Sequence, residues 1–268
     1  MPELPEVETI ARQLAPMVGH RVQRLEIIDR ARLKPKDPAR LAGREVTAVR
    51  RLGKLVLIEL APALYCTVHL RMTGRLIWHG ESARAPHERA HLRARFVLDG
   101  AQLLFYDTRR FGVIEIADAL ADIAPAGVDP LDETLTREAF GELVARANQD
   151  LKAFLMRQDR LVGIGNIYAS EILFRCKLSP LRRTRTLEAR QVTALLRATR
   201  EILQRAIENC GTTFSDFQDA HGVTGSYQQY LAVYGREGER CSRRGCAGVI
   251  ARVVQQQRST FYCPECQR

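Results

Sequence analysis

Hydrophobic and polar residues alternate through most of the segment between Arg21 and Ala117. Alternation with a period of two places every second side chain on one face of an extended strand. The alternating runs are short, and turns such as Asp99-Gly100 separate them, so they predict an antiparallel β-sandwich or barrel. The runs cover residues 22–28, 45–60, 65–78, 91–98, 102–106 and 112–116.

A helical pattern precedes these strands. Apolar residues recur at i, i+3, i+4 and i+7, and Pro5 stands where the first turn would begin. The pattern predicts an amphipathic helix whose positive end lies beside Pro2 and Glu3. The apolar positions are Val7, Ile10, Ala11 and Leu14.

Residues 124–130 interrupt all periodicity, and helical patterns follow as far as Gly211. Their apolar stripes predict four helices, of which the last is long and ends near Gly211, a residue suited to a helix C-terminus. Residues 212–229 are polar and contain glycine, so we expect a mobile loop. The fold class is therefore α+β and multidomain, with expected domains at 1–123, 131–228 and 229–268.

Composition points to a polyanionic partner. The 268-residue chain has a formal net charge of +10, spread through the sequence rather than confined to a tail. Only five of its 41 basic residues are lysines, so each lysine is a candidate for a role that needs a compact amine. No segment has transmembrane length or the pattern of a signal peptide, and we expect a cytoplasmic protein. Cys66, Cys176 and Cys210 are expected to be buried free thiols.

The remaining cysteines form two pairs near the C-terminus. Four residues separate Cys241 from Cys246, two separate Cys263 from Cys266, and sixteen lie between the pairs. This arrangement predicts one structural Zn²⁺ held by four thiolates, across the ends of a β-hairpin. Four unrelated thiols are the weaker alternative. The segment is also basic, so its hairpin could lie on phosphates.

The first residues offer a reactive group. If Met1 is removed, Pro2 presents a secondary amine that can form an iminium ion with a sugar carbon, and Glu3 can act as an acid or base beside it. The alternative is an ordinary helix start with acidic residues in its first turn.

Gly163-Ile164-Gly165-Asn166 is a second candidate site, between two predicted helices. Its glycines would let the backbone approach a phosphate, and Asn166 could cap the next helix. An ordinary helix connection explains the residues equally well. Lys152 lies one helix upstream and could reach the same phosphate backbone.

Two segments between strands hold a third set of candidates. Met72, Arg109 and Phe111 are residue types that fill a base stack after a nucleotide has been flipped out. Core packing of the apolar pair, with solvated arginines, is the alternative. Lys54 could contact phosphate or transfer a proton, or lie at a strand end on the surface. His69 and His91 are similarly ambiguous, and a lone histidine in a strand is more often a hydrogen-bonded structural residue than a catalyst.

In combination, these segments resemble the formamidopyrimidine-DNA glycosylase family, bifunctional base-excision enzymes for oxidised purines. The resemblance runs nearly end to end and follows the family's order of motifs. The motifs lie at residues 2–9, 53–54, 69–74, 109–112, 163–169 and 233–236 and in the terminal zinc finger.

The resemblance implies an N-terminal β-sandwich, a helix-two-turn-helix domain and a zinc finger, with double-stranded DNA in the cleft between the lobes. It implies that Pro2 is the nucleophile, Glu3 its acid/base partner, and Lys54 and Arg258 the residues that assist β- and δ-elimination. The implied DNA contacts are His91, Arg109, Lys152 and Asn166, with Met72, Arg109 and Phe111 filling the gap left by the flipped base.

The resemblance favours 8-oxoguanine and formamidopyrimidine bases or abasic sites as substrates, and a monomer acting at a bacterial nucleoid. Leu4, where endonuclease VIII-type enzymes for oxidised pyrimidines have glycine, separates the chain from those relatives. A catalytically silent damaged-DNA-binding protein and a zinc-ribbon transcription factor are further alternatives. The chain departs from the family in its first cysteine spacing, in Thr108 and in residues 211–229.

Overall fold

A computed structural model describes residues 1–80, 90–212, 220 and 225–268. The chain divides into two compact units. The first comprises Met1–Ala124 and Asn209–Gln228, and the second comprises Pro125–Glu208 and Gln229–Arg268. Residues 209–228, which the sequence analysis groups with the helices, are part of the first unit. The three domain boundaries expected from the sequence remain predictions.

The described residues of the first unit form two antiparallel four-stranded sheets, as predicted for a β-sandwich. Their strand orders are β1-β6-β7-β5 and β2-β3-β4-β8. The strands are β1 (Val22–Ile27), β2 (Val46–Leu52), β3 (Leu55–Leu60), β4 (Leu64–His69), β5 (Gly74–His79), β6 (Leu92–Leu98), β7 (Gln102–Asp107) and β8 (Val113–Ala117).

Two of the alternating runs each form two strands. The run 45–60 is divided by a turn at Gly53-Lys54, where Gly53 has a φ of 62°. The run 65–78 is divided by a turn that precedes Gly74. Both turns carry residues that are functional candidates on sequence grounds, so the division sets where those side chains lie.

Helix α1 (Leu4–Gln13) contributes directly to the core of this unit. Its predicted apolar residues Val7, Ile10 and Leu14 have no exposed surface and pack with residues of both sheets. On its polar side, Glu8 accepts hydrogen bonds from Arg12 and from Arg51 of β2. Burial favours the neutral form of Glu8, but these two arginines hold its pKa below the ordinary value.

The second unit contains four further α-helices, in agreement with the predicted stripes. The apolar stripe along the longest of them is buried from Leu195 to Ile207, as expected for an amphipathic helix. That helix ends at Glu208, and two residues in the left-handed conformation, Cys210 (φ 57°) and Gly211 (φ 75°), follow it. The helices are α2 (Arg137–Ala145), α3 (Leu151–Leu155), α4 (Asn166–Arg175) and α5 (Ala189–Glu208).

The C-terminal segment forms the predicted hairpin, with β9 (Ala251–Gln255) paired to β10 (Arg258–Tyr262). A small core of Val233, Ile250 and the buried cysteines supports it against Phe174 of α4. These elements confirm the predicted α+β fold class. None of the helices within the described ranges is long and apolar enough to cross a membrane.

The three scattered cysteines differ from one another. Cys66 is fully buried, and burial raises the pKa of its thiol to about 12. Cys176 is only partly exposed, but Cys210 is exposed. The expectation that Cys210 is buried was therefore wrong, because the apolar stripe of α5 ends before it. Most of the loop predicted at 212–229 lies outside the described residues.

Candidate active site and nucleic-acid interface

Pro2 and Glu3 lie at the start of α1, as expected from the sequence. Pro2 is buried, and Glu3 is only 2% exposed although it is ionisable. Glu3 occupies the N-cap position, and a capping box pairs it with Glu6. The backbone N–H of Glu3 donates to Glu6 Oε2 at 2.8 Å. The positive end of the helix therefore faces this segment, as predicted.

Glu6 is a supporting residue of this segment that sequence reasoning missed. Its side chain is buried, and its second oxygen accepts the backbone N–H of Thr212 at 2.7 Å. Glu6 thereby joins the N-terminal segment to the chain that follows Gly211. A Cβ atom on Gly211 would lie 2.6 Å from Glu6 Oε1, so this contact requires glycine. The Glu-x-x-Glu spacing of a capping box was the available signal.

The strand registers bring most candidates of the first unit to one end of the sandwich. Leu55 pairs with His69, which pairs with Val113, and Gly74 pairs with Asp107. Residues immediately beyond these pairs therefore share that end. They are Lys54, Met72, His91, Arg109 and Phe111.

His69 lies among cations at this end. Burial, with smaller contributions from Arg71 and Lys54, lowers the pKa of its imidazole to about 4. The backbone N–H of Arg71 donates to His69 Nδ1 at 3.1 Å. The ring is therefore neutral at pH 7 and fixes the start of the turn that carries Met72.

Met72 and Phe111 are not core residues. Met72 is 41% exposed and Phe111 is 51% exposed, which excludes the core-packing alternative for both. The guanidinium of Arg109 lies over the Phe111 ring at 4.9 Å from its centroid. Exposed apolar side chains beside an arginine are suited to insertion into a base stack.

Asp107 joins the two loops that carry these residues, and sequence reasoning missed it. It is buried and accepts the hydroxyl of Thr73. It also accepts the backbone N–H groups of Arg109 at 3.2 Å and Gly112 at 2.7 Å. A single buried carboxylate thus fixes both sides of the Arg109–Phe111 pair. His91 is exposed, and its carbonyl accepts the backbone N–H of Asp107 at 2.9 Å.

In the second unit, the side chain of Gln158 shapes the glycine turn. Its amide nitrogen donates to the carbonyl of Ile164 at 2.8 Å, and its oxygen accepts the N–H of Gly163 at 2.9 Å. Gly165 occupies the N-cap of α4, so Asn166 is the first residue of the helix and not its cap. The predicted capping role of Asn166 was therefore wrong, because its side chain is directed elsewhere.

Asn166 contacts the C-terminal hairpin. Its Nδ2 donates to the carbonyl of Ser259 at 3.0 Å and to the hydroxyl of Tyr234 at 3.3 Å. Tyr234 is itself positioned by Glu171 of α4, a buried carboxylate that accepts the N–H groups of residues 232–234. Burial raises the pKa of Glu171, and these three donors oppose the rise.

Lys152 is deeply buried in α3. It is 2% exposed, and its Nζ donates to the Ser259 carbonyl at 3.0 Å and to the Thr260 hydroxyl at 2.6 Å. Lys152 and Asn166 therefore converge on the same carbonyl, next to Arg258. Arg258 itself is exposed at the start of β10, after a turn whose two residues Gln256 and Gln257 are left-handed.

The four C-terminal cysteines converge as predicted despite the longer first spacing. All four Sγ atoms lie within 4.8 Å of one another. The Cys241–Cys266 and Cys246–Cys263 Sγ distances are 3.9 and 3.7 Å. Tetrahedral Zn²⁺ with bonds of about 2.3 Å requires sulfur separations of about 3.8 Å, so the four thiols fit this ion.

Two family descriptions match the chain. The formamidopyrimidine-DNA glycosylase N-terminal domain matches residues 1–114, and the formamidopyrimidine-DNA glycosylase H2TH domain matches residues 126–218. Among named relatives, the formamidopyrimidine-DNA glycosylases of Pelotomaculum thermopropionicum and Ruegeria pomeroyi are 39% and 38% identical to it. The alignments cover all of this chain and 99% and 100% of those proteins.

Solved structures agree. The MutM (Fpg) protein of Thermus thermophilus superposes with a TM-score of 0.87 at 37% identity, covering 99% of this chain and 98% of that one. Lactococcus lactis Fpg, crystallised as a variant with DNA that contains Fapy-dG, gives a TM-score of 0.86 at 30% identity over both full chains.

The sandwich with its N-terminal helix, the helical unit with its glycine turn and the four-cysteine hairpin define the architecture of a helix-two-turn-helix DNA glycosylase. The chain belongs to the formamidopyrimidine-DNA glycosylase family. Membership of this family supports DNA glycosylase activity in base-excision repair.

Proposed function

We propose that this protein removes oxidised purines, 8-oxoguanine and formamidopyrimidines, from double-stranded DNA and then cleaves the strand by β,δ-elimination. The observation that carries the proposal is the position of Pro2 and Glu3. Both are buried at the positive end of α1. The backbone N–H of Glu3 donates to Glu6 Oε2 at 2.8 Å, which fixes the Glu3 backbone. A nucleophile and its acid/base partner need this kind of fixed geometry.

The reaction begins at the Pro2 nitrogen, which is a secondary amine once Met1 has been removed. Its lone pair attacks C1′ of the damaged nucleotide, and the bond from C1′ to the base breaks, so the base departs with the bonding electrons and takes up the proton that the newly bonded Pro2 nitrogen loses. Glu3 donates a proton to the ring oxygen of the sugar, which opens and leaves an iminium ion between Pro2 and C1′.

Elimination then breaks the strand. Loss of a C2′ proton from the iminium ion expels the 3′ phosphate and leaves a double bond between C2′ and C3′. Loss of the C4′ proton then expels the 5′ phosphate. Lys54 assists the β-elimination that expels the 3′ phosphate, and it binds a phosphate group. It lies at the same end of the sandwich as the candidate DNA-binding residues of the first unit. Arg258, exposed at the hairpin tip, assists the second.

Binding uses residues in both units. His91, Arg109, Lys152 and Asn166 contact DNA, and Met72 and Phe111 enter the stack with Arg109 to replace the flipped nucleotide. Cys241, Cys246, Cys263 and Cys266 hold one structural Zn²⁺, which fixes the ends of the basic hairpin. The complex of Lactococcus lactis Fpg with DNA that contains Fapy-dG supports a formamidopyrimidine substrate.

Strand cleavage by wild-type protein and by Pro2→Gly tests this proposal, with Pro16→Gly as the matched control. The substrates are duplexes that contain 8-oxoguanine opposite cytosine, 5-hydroxyuracil, or no lesion. We expect wild type and Pro16→Gly to cut the purine-lesion duplex and leave phosphate at both ends, while Pro2→Gly binds it without cutting.

Each alternative has its own outcome. Preferential cutting of the 5-hydroxyuracil duplex would move the substrate class to oxidised pyrimidines. Tight binding by wild type without any cleavage, with Met1 removed, would identify a damaged-DNA-binding protein instead. Loss of DNA binding in Pro2→Gly would make Pro2 a structural residue.

A further inference from the structure

Arg110, which lies between Arg109 and Phe111 in the sequence, forms a bidentate ion pair with Asp29. Arg110 Nε donates to Asp29 Oδ2 at 2.6 Å, and Arg110 Nη2 donates to Asp29 Oδ1 at 2.6 Å. Asp29 follows β1, and Arg110 lies between β7 and β8, so the contact joins segments 81 residues apart. Such bidentate pairs are stronger and more directional than ordinary surface ion pairs.

The backbone of Arg110 gives this contact a structural role. Arg110 has a φ of 61°, a left-handed conformation that disfavours residues with a Cβ atom. The ion pair with Asp29 offsets the cost of this conformation for an arginine. The conformation of Arg110 also sets the directions of its two neighbours, which are the proposed DNA-reading side chains Arg109 and Phe111.

Asp29 is itself held firmly. Its side chain is 6% exposed, and its backbone N–H donates to the Arg93 carbonyl at 3.0 Å. Its carbonyl accepts the N–H of Leu33 at 2.9 Å. The hydrogen bonds from Arg110, which outweigh the effect of burial, lower the pKa of this carboxyl, so Asp29 is charged at neutral pH.

We propose that Asp29 is a positioning residue that sets discrimination for the base opposite the lesion. It holds Arg110 in the left-handed conformation, and thereby fixes Arg109 where it meets the unpaired base while Phe111 fills the stack. Asp107 fixes the backbone of Arg109 and Gly112 from the other side. The proposal rests on the proposed function of Arg109 and Phe111 in DNA recognition.

Binding to uncleavable duplexes tests this idea without depending on catalysis. The probes carry a tetrahydrofuran abasic analogue opposite cytosine or opposite adenine, and the measured quantity is the ratio of the two Kd values. We expect Asp29→Asn to reduce the wild-type ratio by about fivefold, because a base contact that is no longer held in place loses part of its discrimination between bases. Asp118→Asn, which removes the Arg40–Asp118 ion pair in the same unit, should keep the wild-type ratio.

A double-mutant cycle separates positioning from general destabilisation. Arg110→Gln should reduce the ratio as Asp29→Asn does, and the double variant should be no worse than either single variant. An unchanged ratio in Asp29→Asn, equal weakening on both duplexes, or a wild type with no preference would overturn the proposal. Failure of strand cleavage alongside a normal binding ratio would instead count against the proposed catalytic function.

Discussion

Lys152 Nζ donates a hydrogen bond to the Thr260 hydroxyl at 2.6 Å. Lys152 is 2% exposed, so its ammonium group stabilises the hairpin from inside the second unit. A DNA contact by this lysine, expected from the sequence, remains a prediction. The geometry supplies a second role, which is to fix the carbonyl beside Arg258.

Replacing Lys152 with methionine should therefore lower stability. The change removes a charged donor from the Ser259 carbonyl and the Thr260 hydroxyl, and lost hydrogen bonds to charged groups typically cost about 1.5–3 kcal/mol. Urea unfolding of Lys152→Met beside Lys34→Met, an exposed lysine, measures this cost. Equal unfolding midpoints in the two variants would contradict the positioning role.

The same variant tests the DNA contact. Each phosphate contact contributes about 0.9 to the slope of log affinity against log salt. If Lys152 contacts phosphate, Lys152→Met should make that negative slope less steep by about 0.9. An unchanged slope would remove Lys152 from the set of proposed DNA contacts.

Cys263→Ser should abolish binding of the proposed zinc ion and weaken lesion binding. Cys263 is fully buried among the four thiols, and its replacement would leave three thiols to hold the ion in a segment with little core of its own. Zinc content by atomic absorption and affinity for a lesion duplex measure the effect. Cys210→Ser changes an exposed thiol outside the cluster and should behave as wild type. Full zinc content in Cys263→Ser would argue against the site.

Phe111→Ala should separate function from stability. Because Phe111 is 51% exposed, its removal should change the free energy of unfolding by less than about 0.5 kcal/mol. Excision of 8-oxoguanine should nevertheless fall by roughly tenfold or more, since unstacking a base costs a few kcal/mol that an inserted ring offsets. Val18→Ala, which truncates a 46% exposed residue of the same unit, is the control. Normal excision by Phe111→Ala would exclude it as a wedge.

His69 should make stability fall in mild acid. Its pKa is lowered to about 4 in the folded protein, so between about pH 6.5 and pH 4 the unfolded chain binds more protons. The contribution of His69 to the free energy of unfolding is therefore fully present above about pH 6.5 and is lost as the pH falls towards 4. Thermal unfolding of His69→Gln should have a flatter pH profile there than wild type or His20→Gln. Parallel profiles for all three proteins would refute this origin.

Much of the fold follows from local patterns. The period-two runs identified the strands, and the stripe of Val7, Ile10 and Leu14 identified a helix that is completely buried on that face. Spacing of the cysteines identified the four-thiol cluster, because metal ligands impose geometry on short segments. The turn at Gly53 was hidden inside a continuous alternating run, so two strands were merged.

The supporting residues of the site could not be found this way. Asp107 and Gln158 act through backbone groups that only the folded chain brings to them. Asp29 reaches across 81 residues to Arg110, a distance over which sequence carries no local signal. Candidate reactive side chains can be recognised by residue type. The carboxylates and amides that hold them in position have the same residue types as ordinary surface residues, and only the folded structure shows that they are buried.

Borohydride trapping tests the proposed Pro2 chemistry most directly. The purified protein, with Met1 removal verified by mass, is incubated with an 8-oxoguanine duplex and sodium borohydride, and the adduct is mapped by peptide mass analysis. We predict a covalent adduct through Pro2 that is absent with undamaged DNA and in Pro2→Gly. No adduct from wild type, or an adduct on a lysine such as Lys54, would contradict this mechanism.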